Sequence, residues 1–249
     1  MSEILGIDIG GTGVKAAVVD ISTGHLLSER LKYATPKPSY PEAVMEVVNK
    51  LIDDHNWKGK PIGCGFPGII KKNVIYSAAN VDKSWLGVNL LDLFLKETDQ
   101  EASFINDADA AGIAEIIYGR GKGVNGTVLL LTLGTGIGSA LFRDQVLIPN
   151  TEFGHLEHKD TVWEKFASNS ARERKDLSWS EWGQELSDYL NHMNLLLSPD
   201  MIILGGGVSK KFHKYEQHLK IDIPIVAAAM LNKAGVVGAA LHAAQSIYA

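Results

Sequence analysis

The sequence predicts two α/β domains with a cleft between them, each built on a mixed sheet that begins with a glycine-rich hairpin. Three observations lead there. The first is Leu5-Gly6-Ile7-Asp8-Ile9-Gly10-Gly11-Thr12-Gly13-Val14-Lys15-Ala16-Ala17-Val18-Val19-Asp20, in which two apolar, β-branched runs flank a turn of glycines and threonine. The second is its partial repeat, Thr127-Val128-Leu129-Leu130-Leu131-Thr132-Leu133-Gly134-Thr135-Gly136-Ile137-Gly138-Ser139-Ala140-Leu141-Phe142. The third is a pair of buried-type strands that run into polar or glycine residues ahead of helical sequence, Phe104-Ile105-Asn106-Asp107 and Met201-Ile202-Ile203-Leu204-Gly205-Gly206-Gly207. Functional groups in α/β proteins gather at such strand ends.

In the first hairpin, Gly10, Gly11 and Gly13 are expected to take positive φ and to leave no Cβ in the way of a bulky ligand. Successive N–H groups of such a turn form an anion-binding concavity, to which Thr12 adds a hydroxyl and Lys15 a charge. Lys15 also fits an ordinary solvated face. Asp8 at the strand end repels a phosphate unless a divalent cation, Mg2+ with its waters, sits between them. In the second hairpin Thr132 replaces the aspartate, so Gly134, Thr135 and Gly136 read as a phosphate cradle without a metal-directing carboxylate.

Composition narrows the partners. The 249 residues can bury a sizeable core, and 45% apolar with 21% charged residues describes an ordinary globular chain. A net charge of −5 argues against nonspecific nucleic-acid binding, so any polyanion must meet local positive charge. The single cysteine, Cys64, excludes an internal disulfide and a multi-cysteine zinc site, and fits a reducing compartment. No apolar run approaches the roughly 20 residues of a membrane span, and the first apolar stretch is already a strand rather than a leader. A cytoplasmic protein without membrane or nucleic-acid partners is expected.

Taken in order, Leu26 to Tyr33 can return as a third antiparallel strand. Thr35 to Pro41, with prolines at 36, 38 and 41, cannot be regular structure. Pro41 and Glu42 open a helix with Val44, Val47, Val48 and Leu51 on one face. Ile62 to Phe66 is a short strand entering the Pro67-Gly68 turn. Ser77 to Gly87 is a polar loop of the kind that walls a cleft. Leu90 to Leu95 resumes helix, and Ala108 to Tyr118 follows the Asn106-Asp107 strand end. After the second hairpin come a strand near Val146 to Ile148, helices at Glu164 to Arg174 and Ser180 to Leu197, and a last strand at Ile223 to Val226. In the second of those helices Trp182, Leu186, Tyr189, Leu190 and Leu196 form the apolar stripe. Ala234 to Ala249 is a small-residue helix whose Gly235 and Gly238 suit close packing. The expected domains are 1–107 with 235–249, and 108–234.

The residues Asp8-x-Gly-Gly-Thr, Asn106-Asp107, Leu133-Gly134-Thr135-Gly136, Glu152-x-Gly154-His155 and Gly205-Gly206-Gly207 together resemble the ROK sugar kinases, members of the actin-like ATPase (ribonuclease H-like) superfamily. The likeness runs over essentially the whole chain. Within the family it is strongest to the branch of glucokinases that use inorganic polyphosphate, through Thr35 to Pro38, Ala79 to Trp85, Pro149 to Glu157 and Ser198 to Asp200. Many ROK kinases carry a cysteine-rich zinc loop after Glu-x-Gly-His. Here His158 to Trp163 stands in its place without cysteine, so no structural zinc is expected and His155 is free to hydrogen-bond a sugar.

The resemblance implies phosphoryl transfer to the 6-hydroxyl of glucose, from polyphosphate or ATP, with Mg2+ and, commonly in the family, a homodimer. Asp107 is then the base; the plain alternative is that it caps the following helix. Asn80, Asn106, Glu152, His155 and Glu164 become sugar contacts, with Glu157 a weaker candidate. Carboxylates suit that role because unpaired buried polar groups penalise a wrong epimer. Asp8, Gly10, Gly11, Thr12, Lys15, Thr132, Gly134, Thr135, Gly136, Gly206 and Gly207 fall on the donor side, Asp8 through water-bound Mg2+. Lys83, Arg120, Lys122, Lys210 and Lys211 are candidates for a polyphosphate track. The rival readings are an ATP-dependent kinase for glucose, mannose or a related sugar, and a sugar-sensing regulator without catalysis. Regulators of this fold carry a helix-turn-helix before the first hairpin, where this sequence has three residues.

Overall fold

The computed structural model describes residues 2–248; Met1 and Ala249, which the expected domain limits include, lie outside the described residues. The chain divides into two compact units, Met1–Ala114 with Lys233–Ala249, and Glu115–Asn232. The division falls inside a helix, between Ala114 and Glu115, and not at the strand end at 107/108.

The first unit runs β1 (Glu3–Gly10), β2 (Gly13–Asp20), β3 (His25–Leu26), β4 (Leu31–Tyr33), α1 (Pro41–Asp54), β5 (Ile62–Phe66), β6 (Ile70–Lys71), β7 (Val74–Ile75), α2 (Leu90–Thr98), β8 (Ser103–Asn106) and the start of α3 (Asp107–Tyr118). Among the described residues its sheet has the order β3-β2-β1-β5-β8, with β4 also on β2. β2 pairs with β1 antiparallel, whereas β1, β5 and β8 run parallel, so the sheet is mixed. Side chains alternate across it. Leu5, Ile7, Ile9, Ile62, Cys64 and Phe66 join Val44, Val48 and Leu51 of α1 and Phe94 of α2 in one core.

The second unit continues with β9 (Thr127–Leu133), β10 (Ile137–Arg143), β11 (Val146–Ile148), β12 (Glu157–His158), β13 (Thr161–Val162), α4 (Glu164–Ala167), α5 (Asn169–Arg174), α6 (Trp179–Leu197), β14 (Met201–Gly205) and β15 (Ile225–Ala227). Its main sheet, β11-β10-β9-β14-β15, repeats the first in order and direction: two antiparallel pairs and then two parallel ones. The duplicated hairpin is therefore the start of a duplicated sheet.

α7 (Ala234–Tyr248) belongs to the first unit and covers the sheet face opposite α1. Its approach is backbone to backbone. A Cβ on Gly63 of β5 would lie 1.9 Å from the Ala239 carbonyl oxygen, and one on Gly238 would lie 1.6 Å from that of Ala110 in α3. Neither neighbour is a side chain that could swing aside.

Several elements differ from the sequence expectation. Leu26 to Tyr33 is not one strand: Ser28 Oγ accepts the Val18 N–H at 2.9 Å, and the ladder along β2 breaks there. Glu164 to Arg174 is two helices, because extended Ser168 ends the first and caps the second through the Ala171 N–H at 3.1 Å. In α6 Met193 takes the buried place expected of Leu196, which is half exposed. Gly207–Lys214 is a 3₁₀ stretch kinked at Lys211 where an α-helix was expected.

Gly238→Ala tests the backbone contact of α7. In an open helix that change stabilises by up to about 1 kcal/mol. Here overpacking should reverse the sign, with a loss of about 1–3 kcal/mol in denaturant unfolding.

Candidate active site

In the first unit the candidate residues gather at the carboxyl ends of the parallel strands β1, β5 and β8. Asp8 and Lys15 lie directly opposite in the β1–β2 register, and Lys15 Nζ meets Asp8 Oδ2 at 2.7 Å. The pair is largely shielded, with side-chain exposures of 26% and 14%. Lys15 is thus a partner of Asp8 and not a solvated charge. The amino end of α7 abuts the same carboxylate: a Cβ on Gly235 would sit 2.9 Å from Asp8 Cγ. A helix amino end favours a negative group. Cys64, buried on the neighbouring strand, has its thiol pushed up by burial and then by the Asp8 charge, which leaves it unreactive.

The turn itself corrects an expectation. Gly10, Gly11 and Gly13 do not adopt left-handed φ. Gly11 is demanded by close approach instead, since a Cβ there would lie 2.6 Å from the Asn80 carbonyl oxygen. The Asn80 loop therefore rests on the first turn, with the Asn80 side chain exposed. The Thr35 hydroxyl donates to the Gly10 carbonyl, and Thr12 is exposed at the tip.

Asn106 is buried, and its amide is nearly saturated. Oδ1 accepts the N–H groups of Ala108 at 2.8 Å and Asp109 at 3.0 Å, while Nδ2 donates to Gly68 O at 3.1 Å. Asn106 thus caps α3, and one N–H remains for a further partner. The cap expected as the plain alternative for Asp107 falls mainly to its neighbour. Asp107 is the first residue of α3, part-exposed, with Oδ1 accepting the Ala108 N–H at 2.8 Å.

In the second unit the turn Gly134-Thr135-Gly136 closes with the Gly134 N–H donating to Gly136 O at 3.0 Å. Thr132 faces Gly138 in the β9–β10 register, so this turn lacks both members of the Asp8–Lys15 pair. Gly206 has φ of 80° and lies so close to β9 that a Cβ would be 2.5 Å from Leu133 O. Gly207 next to it opens onto empty space.

Glu152, His155 and Glu164 form a cluster in that unit. His155 Nδ1 lies 3.6 Å from Glu152 Oε2 and its Nε2 3.8 Å from Glu164 Oε2, so the imidazole stands between two carboxylates without a short hydrogen bond to either. The Glu152 carboxyl is pushed above its ordinary value by burial, lowered less by His155 and raised again by Glu164. Glu164 Oε1 meets Lys165 Nζ at 2.9 Å, and a Cβ on Gly136 would lie 2.3 Å from Glu164 Oε2. The Gly134-Thr135-Gly136 turn and Glu164 are therefore immediate neighbours. Glu157 is exposed on β12.

Two small residues support the Glu152 segment, of which Ser139 escaped the sequence analysis. Buried Ser139 on β10 donates to Thr151 O at 2.8 Å and accepts the Phe153 N–H at 3.0 Å, which pins both sides of Glu152. Gly154 lets the following turn approach Ile137 O, where a Cβ would stand at 2.4 Å. Ser139 is an ordinary small residue that nothing in composition or spacing marks, whereas Gly154 belongs to the Glu152-x-Gly154-His155 motif of the sequence. Among the described residues no group of three or more His, Cys, Asp or Glu is placed to hold a metal.

Residues 4–174 match the ROK family, and the chain belongs to it. It is 44% identical over 237 residues to the polyphosphate glucokinase of Mycobacterium tuberculosis (strain CDC 1551 / Oshkosh), covering 95% of this chain and 89% of that protein. The solved inorganic polyphosphate/ATP-glucomannokinase from Arthrobacter sp. strain KM superposes with a TM-score of 0.95 at 47% identity, over 99% of this chain and 100% of that one. The ROK glucokinase from Streptomyces griseus, solved with glucose and AMPPNP, gives 0.81 at 26% identity over 98% and 99% of the two chains. Duplicated mixed sheets flanked by helices, of the actin-like type, are shared with these kinases.

Two glycine substitutions should separate a strained backbone from a crowded side chain. Gly206→Ala meets carbonyl backbone at positive φ and should lower unfolding stability by about 2–4 kcal/mol. Gly136→Ala meets only the far end of Glu164, so stability should hold to within about 0.5 kcal/mol while the carboxylate is displaced in a crystal structure.

Proposed function

We propose that this protein is a glucokinase that transfers a phosphoryl group from inorganic polyphosphate, with ATP as a second donor, to the 6-hydroxyl of glucose. One observation carries the reading: Asp107 and the Asp8–Lys15 turn stand at the carboxyl ends of strands β8 and β1 of a single parallel run, where α/β sheets place their chemistry. The relatives support the choice of substrates, since they are named as a polyphosphate glucokinase and a polyphosphate/ATP-glucomannokinase.

In this reading Asp107 accepts the proton of the attacking hydroxyl, with the second Asn106 N–H orienting the sugar and Asn80 closing over it. Glu152, His155 and Glu164 take the remaining hydroxyls, the imidazole donating and the carboxylates accepting. Gly10 to Thr12, and Thr132 with Gly134 to Gly136, hold donor phosphates through backbone N–H and hydroxyl groups, and Gly206 and Gly207 take the rest of the donor. Lys15 holds Asp8 in place and offsets phosphate charge. Asp8 would hold Mg2+ through the ion's waters, as a lone carboxylate suits an ion that dehydrates reluctantly. When bound, that ion neutralises charge on the transferring group. A cytoplasmic homodimer completes the proposal; exposed Leu195 and Leu196 at the end of α6 are surface of the kind an interface covers.

Replacing Asp107 by Asn should lower kcat with either donor by about 10²–10⁴-fold while glucose still binds in calorimetry. Full turnover in Asp107→Asn would remove the base assignment; lack of turnover by the unmodified protein with any donor would remove the kinase reading. The Glu152 carboxyl should also leave a mark on pH dependence. Its proton is held to a higher pH than an ordinary glutamate's, so glucose affinity should fall on acidification from a point above pH 4.5. Glu152→Gln should abolish that acid limb, read as KM for glucose against pH.

A further inference from the structure

We infer that an exposed basic strip, Lys210, Lys211 and Lys214, carries the distal phosphates of a polyphosphate chain whose reacting end lies at the second glycine turn. The inference rests on the donor reading above and adds to it a place for the chain beyond the phosphates that react.

The strip is conspicuous in a chain with 29 acidic and 24 basic residues. From Met201 to Tyr215 there is no aspartate or glutamate, and Lys210, Lys211, His213 and Lys214 are all exposed. None of the three lysines has an ion-pair partner among the described residues, whereas Lys15, Lys58, Lys96 and Lys165 each meet a carboxylate. Unopposed charge of this kind is a footprint for a polyanion.

Its position supplies direction. The segment leaves β14 at Gly206, whose backbone lies on Leu133, the residue immediately before Gly134. A phosphate chain held at Gly134 to Gly136 can therefore pass Gly207, where no atom would meet a Cβ, and run onto the lysines. The far end is also built. Lys214 Nζ lies 5.8 Å from the ring centroid of Trp179, Arg172 lies 4.3 Å from the same ring, and Trp179 stacks at 18° on buried Tyr215. Cations held over aromatic faces are placed rather than free to wander. A nucleoside triphosphate carries only three phosphates, whereas a long linear polyphosphate presents one charge after another along such a strip.

The test compares the unmodified protein with the triple variant Lys210→Gln, Lys211→Gln, Lys214→Gln, using long-chain polyphosphate, tripolyphosphate and ATP as donors for glucose. All three positions are exposed, and an unchanged melting curve checks the fold. KM for long-chain polyphosphate should rise about tenfold, the sum of a few exposed charge contacts, with tripolyphosphate and ATP changed less than about twofold. The salt dependence of kcat/KM should flatten for the long chain alone. Equal losses with all donors would mean that the lysines serve the reacting phosphates and would overturn the strip; so would no change with any donor. Failure of the unmodified protein to use polyphosphate at all would instead overturn the donor reading on which the inference rests.

Discussion

At Gly63 and Gly238 there is no room for a Cβ, and the atoms that would meet one are backbone carbonyls. This constraint holds the first unit together: α7 lies directly on β5 and α3, and its amino end is thereby brought against Asp8. The same device recurs where the Asn80 loop rests on Gly11, where Gly206 rests on Leu133, and where Gly154 rests on Ile137. Packed backbones cannot adjust by changing rotamer. Each contact therefore fixes a chain segment that has little freedom to move.

The two sheets share one plan but divide the electrostatics. One glycine turn is flanked by an ion pair, Asp8 with Lys15; its counterpart has Thr132 opposite Gly138 and no charge. The cluster of Glu152, His155 and Glu164 then loads the second unit with carboxylates, one of them reluctant to ionise.

Much of this was legible in the sequence because the residues that carry it have strong local signatures. Apolar runs flanking Gly-Gly-Thr and Gly-Thr-Gly give both hairpins, and apolar strands ending at Asn106-Asp107 and Gly205 give the strand-end geometry. What stayed hidden depends on contacts distant in sequence. Nothing near Gly11 announces that its neighbour is Asn80, so conformational freedom was expected where close approach is the cause. Ser28 and Ser168 break a strand and a helix through single hydroxyl bonds, and periodicity does not register those. Asn106 reads as a ligand in sequence because its capping of α3 and its bond to Gly68 appear only once the chain has folded.

The facing of Asp8 and Lys15 across one rung of the first hairpin also bears on how the two halves of the molecule diverged. Loss of the lysine alone strands a shielded carboxylate, and loss of the aspartate alone strands a shielded ammonium. Neither step is favourable singly, so drift at either position is held in check by the other. The second hairpin, with threonine opposite glycine, has no such mutual hold. The first turn is therefore held by two residues that depend on each other, and the second by residues that can be replaced one at a time.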